Sequence, residues 1–104
     1  MKVVAALAAA LALASACGGG PGDEERDRAV AAAEKAYVAA KGRGVSFEDG
    51  PCLGVIIDGW VADVAHDPRQ AVDDRPENQC EAYRSGEADH FVELDPAGNV
   101  IRVE

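Results

Sequence analysis

The sequence predicts an α+β domain: one long N-terminal helix packed on an antiparallel sheet of about four strands, with a short helix in the connecting loop. Three observations lead there. A helical pattern runs from Asp23 to Lys41, Asp58-Gly59 joins two apolar runs, and a second pair of apolar runs flanks Asp95-Pro96-Ala97-Gly98-Asn99.

The helix is marked at both ends. Asp23, Glu24 and Glu25 put negative charge in the first turn and Lys41 and Arg43 put positive charge at the end, both complementing the helix dipole. Gly42 and Gly44 offer left-handed stops. Val30, Ala33 and Tyr37 recur at helical spacing with Ala29, Ala36 and Ala40 beside them, a smooth face suited to lying on a sheet.

Val45-Ser46-Phe47 reads as a short edge strand, followed by a turn at Glu48-Asp49-Gly50-Pro51. Leu53 to Ile57 and Trp60 to Ala65 then form a hairpin, because Asp58-Gly59 suits a type I′ turn with positive φ at both central residues. A two-residue turn pairs Ile57 with Trp60, Val55 with Ala62 and Leu53 with Val64, placing six apolar side chains on one face. Gly54 and Asp63 fall on the other face, with Ile56 and Val61 as its large apolar members.

Phe91 to Leu94 and Val100 to Val103 make the second hairpin. A three-residue loop pairs Leu94 with Val100. A four-residue loop pairs Leu94 with Ile101, Val92 with Val103 and Glu93 with Arg102, and sorts apolar from charged side chains more cleanly. Asp67 to Asp89, between the hairpins, is too long for an ordinary connection. Asp74 to Glu77 has the form of a capping box and Ser85-Gly86 that of a stop, so a helix carrying Cys80 and Tyr83 is expected there.

Ahead of the domain, Met1-Lys2 is a minimal positive segment, Val3 to Ala14 an unbroken apolar run, and Ser15-Ala16 a pair of small residues before Cys17. This is the layout of an export signal, and its apolar run is well short of the ~20 residues of a spanning helix. Leu13-Ala14-Ser15-Ala16-Cys17 resembles the lipobox of bacterial lipoproteins, although Ala14 stands three places before the cysteine, where that family usually has Leu. The resemblance implies a signal peptide over residues 1–16, a diacylated Cys17 as new N-terminus, and a location at the cell membrane or outer membrane on the extracytoplasmic side. Gly18-Gly19-Gly20-Pro21-Gly22 suits a flexible tether, so residues 17–22 are read as tether and 23–104 as one small domain. Ala14-Ser15-Ala16 also fits a plain A-x-A cleavage site, which would release a soluble protein.

Cysteine arithmetic favours acylation. The chain has three cysteines, and lipidating Cys17 leaves Cys52 and Cys80 as an even pair for a disulfide in an exported domain. A chain this short buries only about 60% of the surface its unfolded form exposes, so a staple is expected. The formal net charge is -9, and once Lys2 leaves with the signal, 9 of the 10 Lys and Arg remain against 19 Asp and Glu. Nucleic-acid binding draws on Lys and Arg neutralising phosphates, so nucleic acid is excluded as a partner.

Chemistry-bearing motifs are few. His66-Asp67 stands at the exit of one strand and Asp89-His90 at the entry of another, so the imidazoles could meet at one end of the sheet and, with Asp67 or Asp89, hold zinc or copper. Asp67, Asp73, Asp74 and Glu77 do not have the spacing of a calcium loop. Ser46 and Ser85 lie outside any G-x-S-x-G elbow.

His90 to Glu104, with V-E-L-D-x-x-G-x-V-I at its centre, is similar to the last hairpin of PepSY-type exported modules, and the order of helix before sheet is similar to theirs. That likeness covers about fifteen residues and implies a binding module without carrying over any functional residue. The expected function is a non-catalytic, membrane-tethered binding or interaction module without a cofactor, its partner a protein or small ligand of the cell envelope. The rival is transition-metal binding or a metal-dependent activity through His66 and His90.

Overall fold

The computed structural model describes residues 20–104. The expected export signal, Cys17 and the first glycines of the expected tether lie outside the described residues. Helix α1 spans Asp23–Gly42, and four strands follow: β1 (Cys52–Ile57), β2 (Trp60–Val64), β3 (His90–Leu94) and β4 (Val100–Val103). A one-turn helix α2 (Glu81–Ser85) lies in the connection between β2 and β3, after two short 3-10 turns at Ala71–Asp74 and Pro76–Asn78. The class is α+β, as expected. Among the described residues, no helix is long and apolar enough to cross a membrane.

The expected small-residue face of α1 is the buried one: Ala29, Ala33, Tyr37 and Ala40 are buried, and the first three pack over Trp60, Ala62, Val92 and Leu94. Methyl-sized side chains let the helix lie close to the sheet, and the larger groups come from the strands. Trp60 is fully buried, and its indole N–H donates to Glu25 Oε2 at 2.8 Å, tying the first turns of α1 to the start of β2. At the other end, Tyr37 donates its hydroxyl to the Pro96 carbonyl at 2.8 Å.

Both hairpins form, but the sheet is mixed. Its order is β1-β2-β3-β4, and the central pair β2–β3 is parallel, correcting the expectation of an all-antiparallel sheet. A parallel neighbour obliges the chain to return from the end of β2 to the start of β3, so residues 65–89 form a crossover. That crossover packs on the sheet face opposite α1, where Cys80 and Ala88 meet Val61, with Cys52, Ala82 and Phe91 beside them.

The first hairpin departs from the expected register. Ile57 pairs with Trp60, but Val55 pairs with Val61, Gly54 with Ala62 and Cys52 with Asp63, so the ladder slips at Ile56 and again at Leu53. Each extra residue breaks the strict alternation of faces. Val55, expected in the core, is therefore 63% exposed, while Leu53, Ile56 and Ile57 all lean on the helix-side core. Asp58 keeps a negative φ and only Gly59 is positive, at 82°, so the turn is not type I′.

The second hairpin combines the two registers open to the sequence. Val92 pairs with Val103 and Glu93 with Arg102, as the longer loop requires, whereas Leu94 pairs with Val100, as the shorter one does. A slip at Ile101 reconciles them. Val45-Ser46-Phe47 is not a strand: the Val45 N–H is given to the Ala40 carbonyl, the Phe47 ring stacks on Tyr37 at 4.3 Å, and Phe47–Asp49 makes a 3-10 turn. The expected helix start at Asp74 is displaced to Cys80. Arg75 precedes a proline and is held extended (φ -68°, ψ 133°), which interrupts helical continuation there. The helix still ends at Gly86, as expected.

Candidate functional site

Cys52 and Cys80 form the expected disulfide, across 28 residues of sequence. It fastens the crossover to β1, and closing a loop of that length stabilises by about 3 to 4 kcal/mol in the chain-entropy model. The crossover is thereby held over the sheet without filling all the space beneath it.

What remains is a cleft of about 200 Å³ whose lining includes Val61, Asp63, Tyr83, Phe91, Glu93 and Arg102. The register explains its floor. Cys52, Asp63, Glu93 and Arg102 are consecutive cross-strand neighbours on β1, β2, β3 and β4, so two carboxylates stand side by side on adjacent strands under the crossover. Glu93 is 5% exposed, and both its oxygens are answered: Arg69 Nη1 donates to Oε2 and Arg102 Nη2 to Oε1, each at 3.2 Å. Arg69 also donates to Asp74 Oδ1 at 2.8 Å.

Asp63 has no such support. Its Oδ1 is buried without a hydrogen-bond partner. Burial, reinforced by the Glu93 charge on the next strand and opposed by Arg69 and Arg102, pushes its carboxyl up to about 7. A mid-strand carboxyl that gains and loses its proton near neutrality, at the floor of a cleft, is a frequent mark of a functional site.

The walls are aromatic. Tyr83 on α2 and Phe91 on β3 meet edge to face at 5.2 Å, and the Arg102 guanidinium lies 5.7 Å from the Phe91 ring centre. A second hollow of about 320 Å³, lined by His66, Asp67, Arg69, Glu93, Ile101 and Arg102, shares the arginine–glutamate cluster with the cleft.

The sequence-derived metal candidates do not come together. His90 is the register partner of Trp60 at the start of β2, whereas His66 follows the end of β2. At the usual strand rise that puts the two imidazoles at opposite ends of the sheet, about 20 Å apart. The expectation that they could meet assumed antiparallel neighbours, and the parallel β2–β3 pair reverses it. His90 instead packs its ring on Trp60 at 4.8 Å.

His66 pairs with Asp73, its Nδ1 lying 3.0 Å from Oδ1 and 3.2 Å from Oδ2. Asp73 Oδ2 also accepts the backbone N–H groups of His66 and Gln70, at 3.0 and 2.8 Å. Burial alone would push this carboxyl up, but these bonds outweigh it and hold it below the usual range. Asp67, Asp74 and Glu77 are exposed, with Asp74 engaged by Arg69. Among the described residues, no group of three or more His, Cys, Asp and Glu side chains could hold a metal ion.

Sequence reasoning assigned Glu93 and Arg102 to each other but to the outside of the hairpin, and left Asp63 as a polar-face residue. The signal for the site was an acidic residue at the middle of two different apolar strands. Placing the two together required the parallel pairing. No protein-family model matches the chain, and no curated protein and no solved structure matches it.

Proposed function

We propose that this chain is an extracytoplasmic lipoprotein, tethered to the membrane through Cys17, whose domain is a binding module with its site in the cleft between the sheet and α2. One observation carries the binding half: Asp63 lines an open cleft with a carboxyl that makes no ion pair among the described residues and whose Oδ1 is buried without a hydrogen-bond partner there. A buried carboxyl left without a partner costs free energy, and a ligand that pairs with this carboxylate from the cleft offsets part of that cost. The aromatic walls and the few converging polar groups are what small-ligand sites are made of. Amide shifts of the purified, nitrogen-15-labelled protein, titrated with a set of small polar molecules, are expected to move at Val61, Asp63, Tyr83, Phe91 and Glu93. Shifts confined to other surfaces, or none at all, would remove the cleft as the site.

The tether is supported by the run from Val3 to Cys17, by the glycines after it, and by the disulfide that accounts for the other two cysteines. Expressed in a bacterium with a lipoprotein pathway, the full chain is expected in the membrane fraction, carrying labelled fatty acid. Cys17→Ser abolishes the label. Two or three acyl chains hold a protein durably at a bilayer, where one does not. An unlabelled soluble product from the wild-type gene, with a reactive thiol at Cys17, would sink the lipid anchor and leave the A-x-A alternative.

A further inference from the structure

We propose that the cleft takes a small organic cation, a primary ammonium or an amidinium on a short apolar body, with the Asp63 carboxylate as its counter-charge; this rests on the reading of the cleft as the binding site. The pairing of charges around the cleft leads to it. Arg69 is shared between Asp74 and Glu93, and Arg102 between Glu93 and, at 4.0 Å, Glu104. Three carboxylates thus share the two arginines, and Asp63 on the floor makes no ion pair with either.

Ligands of other charge fit less well. An anion would meet Asp63 and Glu93 on the floor, with two of the three lining arginines, Arg69 and Arg102, already engaged and only Arg84 on α2 without an ion pair among the described residues. A neutral molecule would leave the Asp63 charge unanswered. A cation answers it and lies beside the Tyr83 and Phe91 rings, the second of which already receives a guanidinium. The cleft is smaller than pockets for drug-sized molecules, which limits the apolar body to about one ring or a short alkyl chain. A chain of net charge -9 also concentrates cations at its surface.

The same geometry makes binding pH-dependent. Asp63 is faced by Glu93 from β3, by Arg102 from β4, by Arg69 and Asp73 from the crossover, and by Tyr83 and Arg84 of α2 across the cleft. The cation requires the ionised carboxylate. With the Asp63 carboxyl at about 7, the affinity should rise about tenfold between pH 6 and pH 8, with proton release on binding.

The test is calorimetric titration of the full chain, extracted from membranes and purified, at pH 6 and pH 8. Benzylamine, benzyl alcohol and benzoate serve as cationic, neutral and anionic probes of one shape. N-acetyl-lysine methylamide presents the same ammonium on a polypeptide side chain. Benzylamine is expected to bind at least tenfold tighter than benzyl alcohol at pH 8, and Asp63→Asn should remove that advantage. Asparagine copies the protonated acid, so this variant should keep the fold; if it does not, Tyr83→Ala should weaken benzylamine at least threefold. Tighter binding of the blocked lysine than of benzylamine would keep the cation and assign its source to a polypeptide. Benzoate binding tighter than benzylamine, or Asp63→Asn binding benzylamine unchanged, would overturn the cation while leaving the cleft a binding site. Failure of every probe to saturate at millimolar concentration would overturn the cation and the cleft together, with the fatty-acid label unaffected.

Discussion

Asp73 shows how one side chain organises a loop that has no regular structure to rely on. Its carboxylate gathers two backbone N–H groups and an imidazole within seven residues of sequence, which satisfies donors that a helix or strand would otherwise have paired. Gly50 sits against it from the other side. Its φ is +65°, and a Cβ there would run into the Asp73 carboxylate and press on the Val64 carbonyl at 3.2 Å. The crossover and the approach to β1 are therefore fitted together at these two residues. Gly50→Ala should destabilise the fold by about 2 to 3 kcal/mol, combining the left-handed backbone penalty with the displaced carboxylate. Asp73→Ala removes the obstacle as well as its hydrogen bonds, so in that background the same glycine substitution should cost only about 1 kcal/mol. Urea denaturation of the two single variants and the double variant measures the difference. Additive costs would mean that the two residues do not press on each other.

At the level of elements, what could be read from the sequence was what is local. The charge pattern and alanine spacing of α1 lie within its own twenty residues, and each hairpin carries its turn between its strands. The disulfide followed from counting cysteines in a chain read as exported. Bulges were hidden because they add a residue without changing composition: Leu53, Ile56 and Ile101 look like ordinary strand members. The parallel contact of β2 with β3 was hidden for another reason. It joins segments separated by the whole crossover, and no turn signal announces it. Two hairpins can adjoin in either direction, and antiparallel neighbours are the commoner arrangement. Everything at the candidate site depends on that one choice. It brings Asp63 beside Glu93, sends the connection across their face, and parts His66 from His90.

For the whole molecule, the buried Asp73 and the half-buried Asp63 set opposite limits on stability. Asp73 has its carboxyl held low in the folded state, so its contribution is present above the unfolded value, near 4, and is lost as the pH falls through the folded value. Asp63 has its carboxyl raised from 3.8 to about 7. The folded state then binds a proton more tightly than the unfolded chain, so its contribution is full below about 4 and is withdrawn as the pH rises towards and through 7. Stability should therefore be greatest in mildly acidic solution and decline on both sides. Because Asp63 is mostly enclosed, the decline from pH 5 to pH 8 should amount to a few kcal/mol, at about 1.4 kcal/mol for every tenfold difference in proton affinity between the folded and unfolded chain. Asp63→Asn has no charge to bury. It should abolish the alkaline decline, exceed the wild type in stability at pH 8, and leave the acid limb in place because Asp73 is untouched. Urea midpoints of both proteins at pH 4, 5, 6, 7 and 8 make the comparison, and a wild-type profile that keeps rising to pH 8 would show that Asp63 ionises in the folded state at no greater cost than in the unfolded chain.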